Sequence, residues 1–146
     1  MSARIRAVVD TNIFVSGVIS PKGSPRKVLL AAKDQKFKLI TSAAINEEIL
    51  EVLHRPHIYK KYHLTEQIVD DICAMLYEGS LVVEGAYSLK YSSPDPKDDK
   101  FLATALKGKA DYLVSGDAHL VSLGRYHEIE IVTASGFLTI LRQAAT

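Results

Sequence analysis

Ile5-Arg6-Ala7-Val8-Val9-Asp10-Thr11-Asn12 carries a run of strand character straight into an aspartate. Apart from Arg6 the run is apolar, as befits a strand covered on both faces of a parallel sheet. Phe37-Lys38-Leu39-Ile40, Leu81-Val82-Val83, Tyr112-Leu113-Val114 and Glu128 to Val132 share that character. Helical patterns lie between them: Pro25 to Lys36 behind a Ser24 cap, Ala43 to His54 behind Ser42, Glu66 to Glu78 behind Thr65, Asp98 to Lys107, and Phe137 to Arg142. Strands alternating with helices predict a three-layer α/β/α sandwich around a central, mostly parallel five-stranded sheet.

A chain of 146 residues with 47% hydrophobic content suits a single domain spanning residues 1–146. Its apolar stretches all fall short of the roughly 20 residues of a membrane span, and Met1-Ser2-Ala3-Arg4 runs into a strand rather than a signal-peptide core. The expectation is a cytoplasmic protein with no membrane partner. Cys73 sits among Ile68, Val69, Ile72 and Leu76 at helical spacing, which predicts a buried free thiol without chemistry. The net charge of +1 conceals an asymmetry: residues 1–63 hold 11 Lys/Arg against 5 Asp/Glu, and residues 64–146 hold 7 against 12. Basic ground beside an acidic site suits a polyanionic substrate, although a mixed surface gives similar counts.

Open parallel sheets bind ligands outside the carboxyl ends of their strands. Asp10 and Asp117 each follow a predicted strand at that edge, and Asp99 stands in the first turn of a predicted helix that starts there. On a helical wheel Ile45, Ile49, Val52 and Leu53 form the buried stripe, Glu48 lies on its border, and Glu47 faces away. Each acid has a purely structural use as well: Asp10 as a helix cap ahead of Ile13-Phe14-Val15, Asp98 and Asp99 as complements to a helix dipole, Glu48 as a semi-exposed helix residue. The convergence of four acids on one edge points instead to a bound divalent cation, because pooled carboxylates otherwise repel.

Other chemistries lack their motifs. The sequence has no Walker-type loop, no G-x-G-x-x-G, no paired cysteines and no G-x-S-x-G elbow. The histidines show no H-E-x-x-H spacing, so oxygen ligands favour Mg²⁺ or Mn²⁺ over zinc.

Four segments, Val8-Val9-Asp10-Thr11-Asn12, Glu48-Ile49-Leu50-Glu51-Val52-Leu53, Asp95-Pro96-Lys97-Asp98-Asp99-Lys100-Phe101-Leu102-Ala103 and Leu113-Val114-Ser115-Gly116-Asp117-Ala118-His119-Leu120, resemble the signatures of the PIN-domain family in that family's order. The subgroup they look most like comprises toxins of toxin–antitoxin systems, related to the VapC-type ribonucleases. The resemblance implies that Asp10, Glu48, Asp99 and Asp117 gather around one or two Mg²⁺ or Mn²⁺ ions and hydrolyse phosphodiester bonds in RNA. It implies that Asn12 and Ser115 support the ligands, with Asp98 a possible further ligand. It also implies an antitoxin partner and a homodimer; Leu138, Ile140 and Leu141 offer apolar surface for the latter, or else simply close the outer face of the sheet.

Lys22, Arg26 and Lys27 are the candidate RNA grip, and Arg55, His57, Lys60 and Lys61 with Tyr59 and Tyr62 form a second basic cluster. Competing readings share the edge chemistry. A receiver-type signalling domain needs an early acidic doublet, whereas Thr11 follows Asp10; a haloacid-dehalogenase-like phosphatase needs a second aspartate where Asn12 stands. A catalytically silent nucleic-acid-binding domain of the same fold would lack metal-dependent turnover.

Overall fold

In a computed structural model, which describes residues 4–84 and 99–145, the chain runs β1 (Arg6–Val9), α1 (Thr11–Ile19), α2 (Ser24–Lys33), β2 (Lys38–Ser42), α3 (Ala43–Leu53), α4 (Pro56–Tyr59) and α5 (Glu66–Tyr77). It continues through β3 (Leu81–Val83), α6 (Asp99–Lys107), β4 (Tyr112–Val114), α7 (Ala118–Leu123), β5 (Arg125–Tyr126), β6 (Ile129–Val132) and α8 (Ala134–Ala144). The sheet order is β3-β2-β1-β4-β6-β5, parallel throughout except for the β5–β6 pair. Six strands therefore replace the five expected. The additional β5 spans only Arg125–Tyr126, too short for any period to register, and its turn places His127 at φ 56° without an Asn-Gly or Asp-Gly signature.

Side-chain alternation sorts the layers. Arg6 points to the α6 face, where its guanidinium donates to the Gly108 carbonyl at 3.0 Å, and Thr104 of α6 donates to Ser42 Oγ at 3.1 Å. Tyr112 points the other way and meets Phe137 of α8, whose ring also packs edge-on against Phe37 at 4.9 Å between centroids. Phe14, Phe37 and Phe137 are all but completely buried, each worth roughly 1.5–3 kcal/mol of apolar burial. Between α1 and α2 the backbones approach so closely that a Cβ on Gly17 would stand 2.7 Å from Leu29 and 2.8 Å from the Pro25 carbonyl oxygen.

Local chemistry sets the helix ends. Ser42 and Thr65 cap α3 and α5, their oxygens accepting from Ile45 N–H and Ile68 N–H as expected. Gly23, rather than Ser24, is the cap of α2, so Ser24 opens the helix; the helix then stops at Lys33 because Gln35 turns to φ 57°. Thr133 caps α8 through Gly136 N–H, and that helix starts earlier than its apolar pattern suggests. Cys73 is half-buried rather than buried. No helix among the described residues is long and apolar enough to cross a membrane.

The order of the strands positions the site. From β1 the chain builds outward through β2 to β3, then returns to β4 on the other side of β1, so the order in which strands are added reverses between β1 and β4 while the strands stay parallel. A crevice forms outside the strand ends at such a reversal.

Candidate active site

Asp10 and Ser115 leave β1 and β4 side by side at that reversal. Val9 pairs with Val114, and the next N–H, that of Asp10, donates to the Val114 carbonyl at 3.0 Å. Asp10 is the N-cap of α1: one carboxylate oxygen accepts from Ile13 N–H at 2.9 Å, the other from the Ser115 hydroxyl. The residue is only 4% exposed. Burial raises its pKa, the bonds from Ser115, Ile13 and Gly116 oppose that rise, and the charge of Asp117 adds to it.

Asp117 caps α7 in the same manner, accepting from the N–H groups of His119 at 2.8 Å and Leu120 at 3.1 Å. Its own N–H donates to Ser115 Oγ at 3.0 Å, so one buried hydroxyl joins both acids. His119 itself is exposed, with only its backbone engaged at Asp117.

Glu48 arrives from α3. Asn46, fully buried two residues before it, fixes the helix by accepting from Thr41 Oγ1 at 2.7 Å and donating to the Leu76 carbonyl at 3.4 Å. That setting leaves Glu47 exposed and Glu48 half-buried, as the wheel predicts. One Glu48 oxygen accepts from the Thr11 hydroxyl and the other pairs with the Lys100 ammonium. Asp99, the residue before Lys100, is the first of α6 and half-buried. Its charge reaches Tyr126, whose hydroxyl pKa is raised first by burial and then by this acid.

A chain of contacts thus runs from Asp117 through Ser115 to Asp10, and from neighbouring Thr11 through Glu48 to Lys100 and Asp99. Among the described residues no three acidic, histidine or cysteine side chains draw close enough together to hold a metal ion. Each acid instead has a local partner: N–H groups and a hydroxyl on Asp10, N–H groups on Asp117, an ammonium on Glu48. The donor set still fits a hard cation, because Asp10 is a carboxylate buried beside a second acid with no compensating positive charge among the described residues. Asp98, the alternative third acid, lies outside the described residues.

Two contributors go beyond what the sequence pattern predicts. Asn12 is exposed, and the hydroxyl reaching Glu48 belongs to Thr11. Lys100 carries a legible signal: a cation in the first turn of a helix opposes the macrodipole and calls for a compensating partner. Of the expected RNA grip, Lys22 and Lys27 are exposed, whereas the Arg26 guanidinium donates to the Gly17 and Val18 carbonyls near the end of α1. In the second basic cluster Arg55 forms a two-pronged bond with Glu51, and Tyr59 donates to Glu66.

Residues 6–119 match the PIN domain, and the chain belongs to the PIN-domain family. A relative, the uncharacterized protein MJ1680 of Methanocaldococcus jannaschii, is 31% identical over 120 residues, covering 82% of this chain and 76% of the relative. The crystal structure of VapBC2 from Rickettsia felis bound to a DNA fragment from their promoter superposes with a TM-score of 0.58 at 14% identity, covering 87% of this chain and 97% of that one. At that identity the match establishes the shared fold.

Proposed function

We propose that the protein is a divalent-ion-dependent endoribonuclease and the toxin of a toxin–antitoxin pair, acting in the cytoplasm on RNA. The observation that carries this reading is the buried Asp10 carboxylate, joined through Ser115 to Asp117 at the reversal of a parallel sheet. Membership of the PIN-domain family supports nuclease chemistry, and the likeness to VapBC2 supports an antitoxin partner. Asp10, Glu48, Asp99 and Asp117 would hold one or two Mg²⁺ or Mn²⁺ ions, with Asp98 a further candidate. A homodimer is part of this proposal; Leu138 and Leu141 of α8 are half-buried against the core, so only their outer surface and that of Ile140 would serve as its face.

A hard divalent ion supplies, when bound, an acidified water and charge neutralisation at a phosphate. The chain's own residues set the stage for that chemistry. Ser115 orients one oxygen of Asp10 and fixes the backbone of Asp117. Thr11 holds Glu48 facing the same edge. Asp10 has to be ionised to act, which its burial opposes, so activity falls as acid protonates it. Exposed Lys22 and Lys27 attract the RNA backbone.

The test is cleavage of a short single-stranded RNA by the purified protein in Mn²⁺, with and without chelator, beside Asp10→Asn. Chelator-sensitive cleavage lost in the variant supports the reading. Cleavage that survives in Asp10→Asn, or no metal-dependent cleavage of any RNA by the wild type, overturns it.

A further inference from the structure

Glu48 is an acid of the site whose partner is a full positive charge. Its two oxygens are divided between Thr11 of α1 and Lys100 of α6, both of which pack against α3. The side chains of the ion pair are 23% and 32% exposed, so the pair is shielded yet open to an ion arriving from solvent. Lys100 also has a reason to be placed there at cost: in the first turn of α6 its charge opposes the helix dipole, and the Glu48 carboxylate offsets that.

We propose that Lys100 is a built-in counter-cation, which occupies Glu48 in the metal-free protein and is displaced when a divalent ion takes that carboxylate. This deepens the metal-site reading of Asp10, Glu48, Asp99 and Asp117 and rests on it. Two cations cannot share one carboxylate oxygen at contact distance without strong repulsion. Lys100 therefore sets the threshold for divalent binding at Glu48. Freed from Glu48, its flexible stem lets the ammonium swing toward any phosphate lying over the site. Lys100 is a positioning residue in this scheme.

Two measurements test it without relying on turnover. Acylation footprinting of the wild-type protein, read by mass spectrometry, should show the Lys100 ammonium reacting several-fold faster once Mn²⁺ is added, with Lys22 and Lys27 unchanged. Calorimetric titration of RNA-free protein with Mn²⁺ should show Lys100→Met binding about five- to tenfold more tightly than wild type, and Lys100→Arg no more tightly. Introduced into Glu48→Gln, Lys100→Met should lose that gain. Wild-type protein that binds Mn²⁺ while Lys100 reactivity and the Lys100→Met affinity stay unchanged overturns the counter-cation role and leaves the metal site standing. Wild-type protein that binds no Mn²⁺ overturns both.

Discussion

The hydroxyl of Ser115, just past β4, donates a hydrogen bond to the carboxylate of Asp10, just past β1, across 105 residues of sequence. The same oxygen accepts from Asp117 N–H, so a single side chain both opposes the rise of one acid's pKa and fixes the backbone of another. Removing it in Ser115→Ala is expected to cost about 1–3 kcal/mol, because a buried carboxylate loses a donor. Loss of that bond also lets the Asp10 pKa climb further, moving the acid limb of the activity profile to higher pH. Thermal melts and a pH–rate profile check both effects, and Ser115→Thr, which keeps the hydroxyl, should restore the profile.

Asp10→Asn is expected to lower cleavage by more than roughly 100-fold and yet to stabilise the metal-free protein at neutral pH. Burial lifts Asp10 above the ordinary 3.8. From pH 3.8 up to the raised value, the unfolded chain gives up a proton that the folded protein retains, so stability falls through that window and stays lower above it. The asparagine carries no such cost. Melting curves should place the variant above wild type at pH 7, with the difference narrowing as the pH falls and gone below 3.8.

Thr11→Val keeps the volume of a buried residue but deletes the hydroxyl that holds Glu48. Divalent affinity should drop about tenfold, with stability changed by about 1 kcal/mol. Titration with Mn²⁺ measures the loss, and Thr11→Ser should recover most of it.

Arg26 and its basic neighbours separate by measurement. Arg26→Gln should cost about 1–3 kcal/mol in stability, since its guanidinium ties α2 to carbonyls of α1. Lys22→Ala with Lys27→Ala should leave stability within about 0.5 kcal/mol, and should reduce the salt dependence of RNA binding by about 0.7 in logarithmic slope for each phosphate no longer neutralised. Denaturation and binding at several salt concentrations distinguish the two roles.

How much of the fold and site is legible in the sequence varies residue by residue. Val8 and Val9 leading into Asp10, and Leu113 and Val114 leading toward Asp117, read directly as strands with an acid at the exit. Helical phase alone separates Glu48 from Glu47, and burial agrees. The short elements escape: β5 and α4 are too brief for periodicity to declare, and α7 rests on a cap by Asp117, an acid whose position past a strand equally suits a ligand. Asn12 and Thr11 are adjacent and both polar, and only the angle at which α1 leaves β1 decides that Thr11 meets α3.

Periodicity, caps and turn residues are local, written within a few positions, and they suffice for the alternating strands and helices and for the parallel sheet that follows from them. The Ser115–Asp10, Thr11–Glu48 and Lys100–Glu48 contacts span 105, 37 and 52 residues. Those depend on which strands lie side by side. Placing β4 against β1 is what joins two acids through one hydroxyl, and setting α6 beside α3 is what turns a lysine next to an aspartate into the partner of a glutamate.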